Sequence, residues 1–140
     1  MSNSQKLELN SIATEDKITQ DSLLTSEQLA WKIAEAADDK KAADIVLLKV
    51  QEISYLADYF VIATGFSVTQ LRAISESIEK QLIDSYNKYP IRVEGKTQSN
   101  WIVMDYGEVI AHIFLPQERE YYNLEAFWGH AERKEFLSNS

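Results

Sequence analysis

A single α/β domain, a mixed β-sheet flanked by helices, is predicted by three features of the sequence. There are two continuous apolar runs of strand length, three segments with apolar residues at helical spacing, and a glycine-centred turn between two further strand-like stretches. The chain has 140 residues, 45% of them hydrophobic, which suffices for one buried core and does not call for a second.

Residues 1 to 24 are rich in Ser, Asn, Gln, Thr and charge, and Leu7, Leu9, Ile12, Ile18, Leu23 and Leu24 are too scattered to form an apolar face, so a flexible tail is expected there. The segment has no Arg and carries Glu8, Glu15, Asp16 and Asp21. An organelle leader would be Arg-rich and acid-poor, and the contrast predicts a cytosolic protein. Thr25 and Gln28 form a capping box, and Leu29, Ile33, Ala36 and Ala37 follow at helical spacing, which predicts a helix over 26–38. The run Ile45-Val46-Leu47-Leu48 within 44–50 and the run Tyr59-Phe60-Val61-Ile62-Ala63 read as strands buried on both faces. Ser67 with Gln70 reads as a second capping box, and Val68, Leu71, Ile74, Ile78 and Leu82 trace one helical stripe after it. A strand over 91–94 follows Pro90, and the strand-helix-strand unit is expected to be a right-handed parallel crossover.

Segments 101–105 and 108–115 are expected to pair as an antiparallel hairpin across Tyr106-Gly107, because glycine takes the positive φ of such turns. Alternation sends Trp101, Val103 and Asp105 to one side and Ile102, Met104 and Tyr106 to the other, and Ile102 with Met104 makes the better core side. Pro116 ends the second strand. A last helix is expected over 118–128, where Tyr121, Leu124, Glu125 and Trp128 are helically spaced before Gly129. The domain is therefore placed at 25–131, with 132–140 a C-terminal tail.

Composition narrows the function. No stretch approaches the ~20 apolar residues that a membrane span needs. Cysteine is absent, which removes disulfides, thiolate nucleophiles and sulfur metal ligands. A formal charge of -8 repels a phosphate backbone, so direct nucleic-acid binding is disfavoured and a basic protein partner is favoured.

Candidate chemistry is sparse. Thr64-Gly65-x-Ser67 could hold an anion at a helix start, as a magnesium-dependent nucleotidyltransferase would require. Such an enzyme also needs paired carboxylates for its metal, whereas Glu94 and Asp105 stand singly, so a capped helix start is the preferred reading. His112 and His130 match no zinc spacing, and His112 reads as a core or partner-facing residue. Asp105, Glu108 and His112 could trade protons, but an acid at a turn usually serves as a hydrogen-bond acceptor. No Gly-x-Ser-x-Gly elbow occurs. Aromatics crowd the last third: Trp101, Tyr106, Tyr121, Tyr122, Phe127 and Trp128. For Trp101, partner anchor and core packing are equally open on this ground.

The ordered blocks Ala57-Asp58-Tyr59-Phe60-Val61-Ile62-Ala63-Thr64-Gly65, Val93-Glu94-Gly95, Trp101 through Phe114, and Glu118-Arg119 through Tyr121-Tyr122-x-Leu124-Glu125 to Trp128 together resemble the Iojap-related ribosome-silencing factors. The resemblance spans about 26–131. It implies a nucleotidyltransferase-like fold without enzymatic chemistry, metal or cofactor. It also implies binding to the fourteenth large-subunit ribosomal protein, where the protein would keep the small subunit from docking and repress translation, and it implies a homodimer when free. By position it points to Trp101 as a partner contact, then to Asp105 and Tyr106 in the same block, with Tyr121 and Tyr122 added on the helix.

Overall fold

A computed structural model describes residues 24–97 and 99–138. Its elements run α1 (Ser26–Asp38), β1 (Ala43–Lys49), β2 (Tyr59–Thr64), α2 (Val68–Tyr86), β3 (Arg92–Glu94), β4 (Trp101–Asp105), β5 (Val109–Phe114), α3 (Pro116–Tyr122), α4 (Leu124–Phe127) and β6 (Glu132–Glu135). The expected N-terminal tail lies outside the described residues apart from Leu24, which packs partly buried against the core.

The six strands form one mixed sheet in the order β3-β4-β5-β2-β1-β6. Only β2 and β5 pair in parallel; the other four pairings are antiparallel. All six residues of β2 are buried, because this strand lies inside the sheet and both of its faces are covered. The unit β2-α2-β3 does return a strand in the same direction, but β4 and β5 lie between its two strands.

The first helix begins as its capping box requires: Gln28 N–H donates to Thr25 Oγ1 at 3.0 Å, and Thr25 N–H donates to Gln28 Oε1 at 2.9 Å. It packs with α2 on one side of the sheet. Ala30, Ala34 and Ala37 keep its approach close, and the buried Ser77 hydroxyl donates to the carbonyl of Ala36 at 2.9 Å. Leu71, Ile74, Ile78 and Leu82 form the buried stripe of α2, as their spacing predicts. The second capping box is only half made. Ser67 accepts from Gln70 N–H at 3.0 Å, but Gln70 Oε1 accepts from Phe66 rather than from Ser67, and its amide nitrogen donates to the carbonyls of Lys40 and Lys41.

Two further expectations are corrected. The helix expected over 118–128 is two short helices, broken where Asn123 takes a left-handed conformation with φ 46°. Residues 132–140 are not a tail throughout, because Glu132–Glu135 form β6 on the outer edge of β1, in register Val46↔Glu135 through Lys49↔Glu132. Lys134 reaches Glu27 at 2.7 Å, and Phe136 packs partly buried against Trp31 at 6.0 Å. Truncation after Ala131 is therefore expected to lower stability by on the order of 3 kcal/mol, from lost strand pairing and lost Phe136 burial. The urea midpoint measures it, and an unchanged midpoint would mark 132–140 as dispensable.

Candidate functional site

The second side of the sheet is covered thinly. Trp101, Val103 and Asp105 of β4, Ile110, His112 and Phe114 of β5, Phe60, Ile62 and Thr64 of β2, and Val46 and Leu48 of β1 share this side by register. Its cover is the short pair α3 and α4, neither of which contains a buried residue. A helix that buries so little apolar surface needs another hold on the sheet.

Arg119 supplies it. Its guanidinium grips Glu125 with two parallel bonds of 3.0 Å, and its remaining donors reach Thr64 Oγ1 at 2.8 Å and the carbonyl of Asp44 at 2.6 Å. Arg133 adds a bond to Glu125 at 2.9 Å. The Arg119 guanidinium holds the Glu125 carboxyl below its usual range. One planar fork thus ties α3, α4, β1 and β2 together.

On this base sits a run of aromatic rings. Tyr121 meets Tyr122 edge-on at 5.0 Å, Tyr122 lies 4.7 Å from Trp101, and Trp101 stacks on Phe114 at 4.8 Å. Beneath them His112 lies 5.0 Å from Phe60, which meets Trp128 at 5.6 Å, and Trp128 meets Phe127 at 5.1 Å. The ends of the run face solvent, with Tyr121 80%, Tyr122 48% and Phe127 75% exposed, while its middle is packed. Trp101 is half-buried on the side opposite Ile102 and Met104, as alternation predicts, and its indole N–H donates to His112 Nδ1 at 3.2 Å.

The expected site residues therefore divide. Trp101, Tyr121 and Tyr122 come together at one end of the sheet. Asp105 shares the side of Trp101 but lies at the other end of β4, about 13 Å away at the usual strand rise. There its Oδ1 accepts from Gly107 N–H at 2.8 Å, capping the hairpin turn. Tyr106 is corrected outright. It is 2% exposed, packs in the core beneath α1 and α2, and burial pushes its phenol well above the ordinary value. A partner cannot touch it without opening the core. Phe127 stood out only as one of the crowded aromatics and Arg119 only as part of a motif; the exposure of the one and the contact of the other to the Asp44 carbonyl depend on the break at Asn123 and on long-range pairing.

The pieces of a nucleotidyltransferase site are not assembled. Ser67 caps α2 at the Trp101 end of the sheet, while Asp105 lies at the other end. The exposed guanidinium of Arg92 stands 3.5 Å from Asp105 and 3.9 Å from Glu94. Among the described residues no three His, Asp or Glu side chains are grouped to hold a metal ion.

Comparison with known proteins bears on the family and the fold. Residues 24–139 match the family described as ribosomal silencing factor during starvation. The chain is 45% identical over 101 residues to a ribosomal silencing factor of Bacillus subtilis (strain 168), covering 71% of this chain and 85% of that protein. It is 41% identical over 103 residues to the chloroplastic protein Iojap of Zea mays, covering 73% of this chain and 44% of that longer protein. A crystal structure of a Chromobacterium violaceum protein superposes with a TM-score of 0.72 at 26% identity, covering 84% of this chain and 98% of that one.

Two outcomes are expected. Arg119→Ala leaves Glu125 with half its cations and the short helices without their clamp, and is expected to cost about 3 kcal/mol in chemical denaturation. The second concerns His112, whose burial lowers its pKa from 6.5 to about 4. The unfolded chain takes up this proton near 6.5 and the native protein only near 4, so stability is full above 6.5 and falls as pH drops toward 4. The drop amounts to roughly 3 kcal/mol. Urea titrations at pH 7 and pH 4.5 read it, and His112→Phe should flatten this part of the slope.

Proposed function

The chain belongs to the family of ribosomal silencing factors, and on that premise we propose that it docks on the large ribosomal subunit through the aromatic end of its thinly covered side. There it contacts the fourteenth large-subunit ribosomal protein, occupies the place where the small subunit would join, and so represses translation. The blocking is steric and needs no reaction. It places the protein in the cytoplasm with the ribosomes. In the free protein the same surface pairs with a second copy.

The observation that carries this reading is the cluster of Tyr121, Tyr122 and Trp101, in which exposed Tyr121 meets exposed Tyr122 and Tyr122 rests against the half-buried indole. Exposed aromatics held rigidly on a packed base lose little entropy on binding and are frequent hot spots. The formal charge of -8 supports a basic partner, because opposite fields speed encounter and fix orientation. Relatives are named as silencing factors, which are regulators. No helix among the described residues is long and apolar enough to cross a membrane.

Tyr121→Ala is the cleaner test, because this ring is almost wholly exposed and its loss should leave the fold unchanged. Co-sedimentation with purified large subunits is expected to weaken by roughly thirtyfold, the equivalent of losing one hot-spot aromatic. Trp101→Ala should weaken it as much and also lower stability, since the indole packs on Phe114. If both variants sediment as the wild type does, the surface is misassigned. If saturating protein leaves subunit joining unimpeded by light scattering, the steric reading fails.

A further inference from the structure

Trp101 is held twice, once by its backbone and once by its ring. The Ser99 hydroxyl accepts from Trp101 N–H at 3.0 Å and donates to the Trp101 carbonyl at 2.7 Å, closing a small loop on the strand start. Gly95, at φ 90°, lets that carbonyl approach: a Cβ there would lie 2.3 Å from it. These contacts fix where the residue sits. They do not fix the indole, which could turn over about its χ2 axis and still stack on Phe114, because stacking is indifferent to which ring edge faces the sheet.

The edge is selected by His112. The indole nitrogen can only donate, so the Nδ1 atom that it meets at 3.2 Å must be an acceptor, and the imidazole is the neutral form protonated on Nε2. That Nε2–H is buried and has no partner among the described residues. Burying a polar imidazole is a cost to the fold, and a phenylalanine would fill the same space between Phe60 and Phe114 without it. Packing alone therefore does not account for a histidine here, whereas an acceptor facing the indole does.

We propose that His112 is the positioning residue that sets the orientation of the Trp101 indole at the docking surface. His112 does not touch the partner. It acts through Trp101, so the inference rests on the docking reading given above. With the indole edge fixed, the polar N–H is turned toward the buried His112, and the half-buried ring lies 4.7 Å from Tyr122. A basic partner then meets an apolar, electron-rich ring rather than a second donor, which suits contact with a cationic side chain. Loss of the acceptor frees the indole to sample both edges, and the partner must select one of them on binding.

The test uses the full chain labelled with 15N in its Trp and His side chains, with the Trp101 indole resonance identified by its absence in Trp101→Phe. In the wild type a 15N–15N coupling across the indole N–H to Nδ1 is expected; its absence at neutral pH would overturn the proposal, whatever the variants do. In His112→Phe, which keeps a ring and removes the acceptor, the Trp101 indole N–H should exchange with solvent about tenfold faster. Affinity for large subunits should fall about tenfold, which is the fold-change for one hydrogen bond of ordinary net strength. His112→Asn places an oxygen near the Nδ1 position and should restore part of both. If Trp101→Ala loses affinity but His112→Phe retains it, positioning is refuted while docking stands. If Trp101→Ala alone retains full affinity, this role fails while docking stands on Tyr121; if Tyr121→Ala retains it as well, the docking reading itself fails and takes this role with it.

Discussion

The guanidinium of Arg119 is the contact on which the exposed architecture depends. Elsewhere in the molecule, helices adhere by burying apolar stripes, as α1 and α2 do with Leu29, Ile33, Leu71 and Ile78. The short helices α3 and α4 have no buried residue to offer. They carry Tyr121, Tyr122 and Phe127 with their rings turned to solvent, an arrangement that apolar burial alone would undo by drawing those rings inward. A bidentate ion pair with Glu125, supplemented by a hydroxyl and a backbone carbonyl, fastens the pair while leaving the aromatics outside. Only a planar donor fork satisfies all four acceptors at once, and a lysine would not. The carbonyl that completes the set belongs to Asp44, which sits at φ 50° where the register of β1 shifts. That local irregularity and the clamp are parts of one device.

The two sides of the sheet illustrate a division of labour. One is closed by long helices and contains the larger core, with Tyr106 deep within it. The other is a smaller cluster under a partial lid, and its residues grade from buried Ile62 and Phe114 through half-buried Trp101 to exposed Tyr121. In a graded aromatic surface of this kind the outer rings rest on inner ones that are already packed. On the proposed reading, the partner meets a shape that is already set, and affinity is not spent on ordering it.

Much of this was legible from sequence because the signals were local. The Thr25 and Gln28 pair fixed the start of α1, the unbroken run from Tyr59 to Ala63 identified a fully buried strand, and Gly107 marked the hairpin turn at φ 91°. What escaped was non-local. Glu132-Arg133-Lys134-Glu135 offers no apolar residue and reads as a solvated tail; it is a strand because β1 has a free edge and because Glu27 and Glu125 wait to pair with Lys134 and Arg133. The break at Asn123 interrupts an otherwise regular helical spacing, and asparagine tolerates the left-handed conformation without announcing it. Tyr106 was drawn outward by its neighbours in a motif, although its alternation with Ile102 and Met104 already placed it inside. The resemblance identified the block; the periodicity within the block identified which members could be reached.

The charged strand β6 has a bearing on how such a molecule can associate. It closes one margin of the sheet with the all-charged run Glu132-Arg133-Lys134-Glu135, and the opposite margin, β3, is only three residues long. Neither offers a neighbouring chain a long apolar ladder to extend, so growth of the sheet from molecule to molecule is disfavoured. On the proposed reading, contacts with other macromolecules fall broadside instead, onto the flank where the rings stand.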